Sequence, residues 1–289
     1  MNAASKPQKI KTRNSPSRIA ARVFTNLIMI LYSITCIYPI VWIFYSSIKT
    51  NRDFQNNILG FPKTFEIENY IYVLTSGKIG MYMFNTIRNT AISLIFIIFF
   101  AFINGYFISR FKFRGRRILY SLYMLGMLVP IHALLIPLYI LFSRTGLANN
   151  WYTVALPNIT FGLPTALFLV ESYIGTVPIE LEEAALIDGS GFSRTLFTII
   201  FPLITPILAT IGIISFFTCW NEFSFSLVLL KSQNLFSLPL GLTLFKGIYQ
   251  SNYPRMMTTM VIALAPALVI YIAFAKKIIQ GMMAGAIKG

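Results

Sequence analysis

Thr176-Val177-Pro178-Ile179-Glu180-Leu181-Glu182-Glu183-Ala184-Ala185-Leu186-Ile187-Asp188-Gly189 is the most acidic stretch of an otherwise basic chain. An apolar run ends before it at Val170 and another starts after it at Thr195. A charged segment is therefore held between two stretches suited to lipid. Thr176 is placed to cap a helix, and Pro178 suits its first turn. Glu180, Glu182 and Glu183 complement the positive end of a helix dipole. Ile179, Leu186 and the pair Ala184-Ala185 give a small apolar face, and Gly189 allows a tight turn at the C-terminal end. Gly191 and Phe192 follow, then a second short helix into Ile199 that ends near Pro202. The pattern predicts an amphipathic helix, a turn and another helix lying flat on a membrane surface. Nothing in it is apolar enough to enter lipid. A small Ala-rich helix with an acidic edge suits a cleft in a water-soluble partner.

The rest of the chain fits that setting. Of 289 residues, 56% are apolar and 11% charged, where an ordinary soluble protein has about 25% charged. That excludes a soluble enzyme, a disordered protein and a disulfide scaffold. Cys36 and Cys219 both lie in apolar runs and read as small buried residues. Six uncharged stretches are long enough to cross a bilayer: Val23–Ile48, Asn89–Ser109, Ile118–Ser143, Thr145–Val170, Thr195–Asn221 and Met256–Ala275. Only Arg144 parts the third from the fourth, and Thr145-Gly146 and Asn149-Asn150 predict a short hairpin there. The first run is too long for a signal-peptide core, so it reads as a retained span. Ser232–Phe245, with Pro239 and Gly241, is too short to span and reads as an interfacial or re-entrant segment.

The fold class is therefore an all-α integral membrane protein with six transmembrane helices. Six spans place both termini on one side. That side, with its loops, carries 15 of the 24 Lys and Arg residues, including Arg18, Arg22 and the loop Arg110, Lys112, Arg114, Arg116 and Arg117. Both termini are expected to be cytoplasmic. The same bias accounts for the net charge of +15 without nucleic acid. The expected organisation is a flexible basic tail (1–22), a six-helix transmembrane domain (23–275) with the internal loop 171–194, and a cytoplasmic C-terminal tail (276–289).

Glu183-Ala184-Ala185, three residues, Gly189, nine residues, then Ile199-Ile200-Phe201-Pro202 resembles the EAA motif of ABC importer permease subunits, with Phe201 where the family usually has Leu. Met127-Leu128-Val129-Pro130 through Ile136-Pro137-Leu138-Tyr139, Phe161-Gly162-Leu163-Pro164, Trp220-Asn221-Glu222-Phe223, Leu238-Pro239-Leu240-Gly241-Leu242 and Ala284-Gly285-Ala286-Ile287-Lys288-Gly289 resemble the carbohydrate branch, in particular its maltose-transporter-type second permease. The resemblance spans residues 20–289. It implies a type I importer permease fold in the bacterial cytoplasmic membrane. It also implies four kinds of partner: a homologous second permease, two copies of an ATP-binding subunit, an extracytoplasmic solute-binding protein and membrane lipid. ATP and Mg would sit on the ATP-binding subunits, and no cofactor on this chain. The site residues it implies for ATPase coupling are Glu182, Glu183, Ala184, Ala185, Asp188, Gly189 and Pro202, with a C-terminal contact at Gly285, Lys288 and Gly289. The function it implies is uptake of a carbohydrate by alternating access, with glycerol phosphate or another polyol derivative as the alternative cargo.

The residues read by themselves agree with a non-enzymatic role. The chain has no G-x-x-x-x-G-K-[ST] phosphate loop, no nucleophile elbow and a single histidine. Polar residues in the spans form a candidate translocation path: His132, Asn158, Trp220, Asn221 and Glu222. An intramembrane acid such as Glu222 is a functional hypothesis by default. For His132 a hydrogen bond to a neighbouring helix is the simpler role, and for Asn85, Asn89, Asn104, Asn158 and Asn221 interhelical bonds compete with a solute route. Trp151, Tyr152, Tyr249 and Tyr253 suit either an interfacial belt or contact with sugar or binding protein. The loop Lys49–Arg88 is long enough to touch a binding protein. Pro39, Pro130, Pro137, Pro157, Pro164, Pro206 and Pro266 fall in spans, where kinks can shape a cavity. A stand-alone secondary transporter or channel would need paired intramembrane charges, and only Glu222 and His132 come near this.

Overall fold

The computed structural model describes residues 16–76, 78–248 and 252–286. The expectations placed on residues 1–15, Tyr249, Lys288 and Gly289 lie outside the described residues. Those described form helices joined by turns, with no strand. In hydrocarbon every backbone polar group must be paired within the protein, which a helix does segment by segment.

The chain runs through α1 (Pro16–Ser47), α2 (Asn51–Asn56), α3 (Glu68–Ser76), α4 (Ile79–Arg110) and α5 (Arg116–Leu128). A one-turn 3-10 helix (Ile131–Leu134) leads to α6 (Leu135–Arg144), then α7 (Ala155–Ile174) and α8 (Glu180–Ile187). Next come α9 (Phe192–Arg194), a π-helical turn (Thr195–Ile200), α10 (Phe201–Leu203) and α11 (Thr205–Trp220). The chain ends with α12 (Ser224–Leu229), a 3-10 turn (Gln233–Leu235), α13 (Leu238–Ile248) and α14 (Tyr253–Ala286).

Among the described residues three helices are long and apolar enough to cross a bilayer unbroken, in α1, α4 and α14. Two bent pairs raise the number to as many as five if each is one span: α5 with Ile131–Arg144, bent by 92°, and Phe192–Leu203 with α11, bent by 71°. The 20-residue α7, which contains Asn158, Pro164 and Glu171, falls outside that set.

Several expected boundaries move. The uncharged run Ile118–Ser143 is not one straight span. Pro130 has no N–H and holds Val129 in extended geometry (φ −77°, ψ 119°), which breaks the helix. The run Thr195–Asn221 is likewise broken. Pro202 cannot donate, and its ring would meet the Thr198 carbonyl in a regular helix, so the preceding turn widens to π geometry. The hairpin after Arg144 extends to Val154, so α7 begins at Ala155 and carries Glu171 inside it. Residues 16–22 and 276–286, expected as tails, continue α1 and α14 as helix. Of the seven span prolines, Pro39, Pro164 and Pro266 lie inside long helices, whereas Pro130 lies in a break.

The core is where α4, α7 and α11 meet with the π turn. Ile97, Ala101, Phe102, Tyr106, Ala166, Val170, Ile200, Ile204 and Ile211 are all buried there. Close approach of α4 and α7 needs small residues. A Cβ on Gly105 would lie 2.7 Å from Val170 Cγ1, and one on Gly162 would lie 2.7 Å from Ile97 Cδ1. By contrast α1 presents Val23, Leu27, Leu31 and Ile34 outward and packs against α14. Cys36 is exposed on it, contrary to the expectation of two buried cysteines, because no residue of that stretch of α1 is buried among the described residues.

At the end of α7 remote from α8, polar clasps replace apolar packing. Lys49 is fully buried. Its Nζ donates to the carbonyls of Asn57 (2.7 Å) and Ile58 (3.1 Å) beside the Tyr45 and Phe54 rings. Burial pushes its ammonium below the ordinary lysine value, and Asp53 opposes that. Asn69 donates to the carbonyls of Ser47 and Lys49, so the connection Lys49–Arg88 is a folded layer containing α2, α3 and the start of α4. Asn149, at φ 57°, accepts from the N–H groups of Lys231 (2.9 Å) and Ser232 (2.8 Å). Arg88 donates to the Trp151 carbonyl. Asn85 donates to the carbonyls of Asn234 and Phe236, and Thr86 accepts from Leu238 N–H, which fixes the α12–α13 hairpin onto α4.

Candidate functional site

Two places carry polar chemistry that packing alone does not need: α8 and a cavity between the helices.

The entry to α8 is not capped as its sequence suggests. Thr176 Oγ1 donates back to the Tyr173 carbonyl, and the helix begins at Glu180 with no side-chain cap. Its exit is closed tightly. Gly189 at φ 80° donates to the Leu186 carbonyl and Ser190 N–H to that of Ala185, the paired bonds of a Schellman turn. Ala185 is buried against the π turn, which ties α8 to the bundle. Glu183, Ala184 and Asp188 are exposed, as are Leu186 (71%) and Ile187 (85%). The outer face is thus apolar with an acidic edge. Its members are Ile179, Ala184, Leu186 and Ile187, with Ala185 turned inward instead. Glu182 also turns inward, onto Arg110 and Tyr106. Pro202 is exposed beyond the π turn, and Gly285 is in the last turn of α14.

The cavity, of about 300 Å³, lies between α4, α7, α11, the bend at Pro130 and the start of α12. Four of the five path candidates line it: His132, Asn158, Asn221 and Glu222. Trp220 does not. It is buried on the other side of α11, stacked on Phe216 at 5.4 Å and packed near Tyr82 and Leu238. Sequence reasoning missed Thr165, Ser215 and Thr218, which also line it. Their signal was helical spacing. Asn158, Gly162, Thr165 and Leu169 form one stripe on α7, and Ile211, Ser215 and Thr218 form one on α11.

Glu222 is half-buried, and the short α12 has the apolar Phe223 at its N-cap position. The Glu222 carboxylate takes the capping role, accepting from Phe225 N–H, Ser226 N–H (3.1 Å) and Ser226 Oγ (2.9 Å). Its charge is offset by the amide end of α12. Asn158 is 6% exposed, and its Nδ2 has no partner among the described residues. His132 sits in the one-turn helix at the bend, exposed toward the cavity, with no hydrogen bond among the described residues. Among the described residues, no Lys or Arg lines the cavity. Of the other asparagines, Asn85 holds the turn that enters α13, Asn104 bonds within its own helix and Asn89 is buried. Among the described residues no three His, Cys, Asp or Glu groups converge to hold a metal ion.

The family model described as binding-protein-dependent transport system inner membrane component matches residues 97–283, which include α8, the π turn and most of the cavity wall. The chain belongs to this family. The permease is 37% identical to the ABC transporter permease protein ORF2 of Caldicellulosiruptor sp., over 87% of this chain and 91% of that one. It is 34% identical to the multiple sugar-binding transport system permease protein MsmG of Streptococcus mutans, over 88% and 93%. A bacterial ABC transporter involved in import of the acidic polysaccharide alginate contains a chain of the same fold. The TM-score is 0.80 and the identity 22%, covering 91% of this permease and 98% of that chain. This permease is accordingly a multi-pass membrane subunit, not an enzyme, and ATP hydrolysis belongs to a partner ATPase.

Proposed function

We propose that this permease imports an uncharged carbohydrate across the bacterial cytoplasmic membrane. It would do so in complex with a second permease, two ATP-binding subunits and an external solute-binding protein. The observation that carries this reading is the cavity. It gathers hydroxyls, carboxamides and one capped carboxylate among apolar walls, the usual make-up of a small-molecule site. The names of relatives such as the S. mutans multiple sugar-binding permease support the cargo class. In this reading α7 counts with the three unbroken helices and two bent pairs as the sixth span, and both termini are cytoplasmic. The outer face of α8, with Glu183, Ala184, Leu186 and Ile187, enters a cleft of an ATP-binding subunit, and Asp188 and Gly189 set the angle at which it does so. Closure of the ATPase pair on ATP moves α8, and the bundle exchanges inward-facing for outward-facing states of different solute affinity. Gly285, Lys288 and Gly289 add a C-terminal contact.

Reconstitution tests this. Proteoliposomes holding the permease alone should import nothing. Those holding both permeases and the ATPase, supplied with binding protein, should import a neutral oligosaccharide only when ATP is on the ATPase side. Uptake by the permease alone, driven by an ion gradient, would contradict it.

A further inference from the structure

Three glutamates occupy the first turn of α8, and the helix dipole treats them alike. Their surroundings do not. Glu180 and Glu183 are exposed. Glu182 is held on both carboxylate oxygens: Arg110 Nε donates to Oε1 at 2.6 Å and Tyr106 Oη to Oε2 at 2.7 Å. The side chains of Arg110 and Glu182 are 11% and 14% exposed. A second Arg110 nitrogen donates to the Val177 carbonyl at 2.8 Å, in the turn that enters α8. One guanidinium at the end of α4 therefore fixes both the approach to α8 and its first turn. Ala185, one turn on from Glu182 on the same inward face, is buried against the π turn. The helix joined in this way is the one that runs past the cavity. Tyr106 and Arg110 close one end of α4, Ile97 lines the cavity at its middle, and Asn85 and Thr86 hold the hairpin that follows Glu222.

We propose that Glu182 is a positioning residue, not an ATPase contact: with Arg110 and Tyr106 it pins α8 to α4, so that a push on the outer face of α8 moves the cavity wall as one lever. This rests on the importer reading and adds a division of labour to it. Glu183 faces the partner, and Glu182 faces the bundle. A paired charge with little solvent access is strongly sensitive to loss of one partner, so the pin resists slippage between the two helices.

The test uses the assembled importer in proteoliposomes, with solute imported per ATP hydrolysed as the readout. Glu182→Ala and Arg110→Ala should each lower that ratio about tenfold, the range of a coupling free energy between sites. The double variant should be no worse than either single one, as expected for groups that act as a pair. Capture of the ATPase by an affinity-tagged permease should be unchanged in Glu182→Ala and reduced in Glu183→Ala. A second measurement guards against misfolding. In a background lacking Cys36 and Cys219, cysteines at 110 and 182 joined by a short bifunctional thiol reagent should still support uptake. A joined pair that blocks uptake would show that α8 must slide on α4, and would overturn the proposal. So would a normal import ratio in Glu182→Ala, additive losses in the double variant, or loss of ATPase capture in Glu182→Ala. Failure of the importer reading looks different: wild-type uptake would itself be independent of ATP.

Discussion

Glu183→Lys should insert and fold normally yet lose at least about 30-fold in uptake, the scale of reversing a charge at a desolvated interface. Glu183 is exposed on the first turn of α8 beside Ala184, Leu186 and Ile187, so within the chain its charge meets only the amide end of α8, a contribution of about 0.5 kcal/mol at an exposed site. Protein yield and thermal stability should match wild type. The loss should appear in uptake by the assembled importer and in the amount of ATPase retained by the tagged permease. Glu183→Gln should fall between the two, because it keeps the shape and loses only the charge. Normal uptake by Glu183→Lys would remove this residue from the partner interface.

The second large effect is expected in the cavity. Asn158 is 6% exposed, and among the described residues its Nδ2 has no partner, an arrangement that costs stability. Asn158→Leu removes that cost, and the permease should become more stable by about 1 kcal/mol. It should nevertheless transport about tenfold less, because the cavity wall loses a carboxamide that can bond the solute. Opposite movements of stability and uptake separate a solute-facing residue from a structural one. A destabilised Asn158→Leu variant with full uptake would place Asn158 in the packing instead.

The parts of this architecture visible in the sequence are those that follow from local composition. The apolar runs, the acidic helix and the turn at Gly189 each depend on residues within a few positions of one another. Asn158, Asn221 and Glu222 each stand out as polar groups in apolar runs, but their meeting at one cavity depends on the packing of α7 against α11. The bends were less visible. A count of uncharged residues passes over Pro130 without a break, although its missing N–H ends α5. Trp220 belongs to the same short motif as Asn221 and Glu222, but it is the last residue of α11 and turns to the face opposite the cavity. The orientation of Glu182 had no local signal. It is set by Arg110, 72 residues away, and only the packing of α4 against α7 brings the two together.

The central claim is that α8 offers its outer face to an ATPase on the cytoplasmic side. A single cysteine at Ile187, whose side chain is 85% exposed, tests it most directly when Cys36 and Cys219 are removed. The account predicts no reaction with a membrane-impermeant thiol reagent applied to intact cells. It predicts rapid reaction in inside-out vesicles stripped of ATPase, and protection when the ATPase is restored. Labelling of Ile187→Cys from the outer surface of intact cells would contradict it.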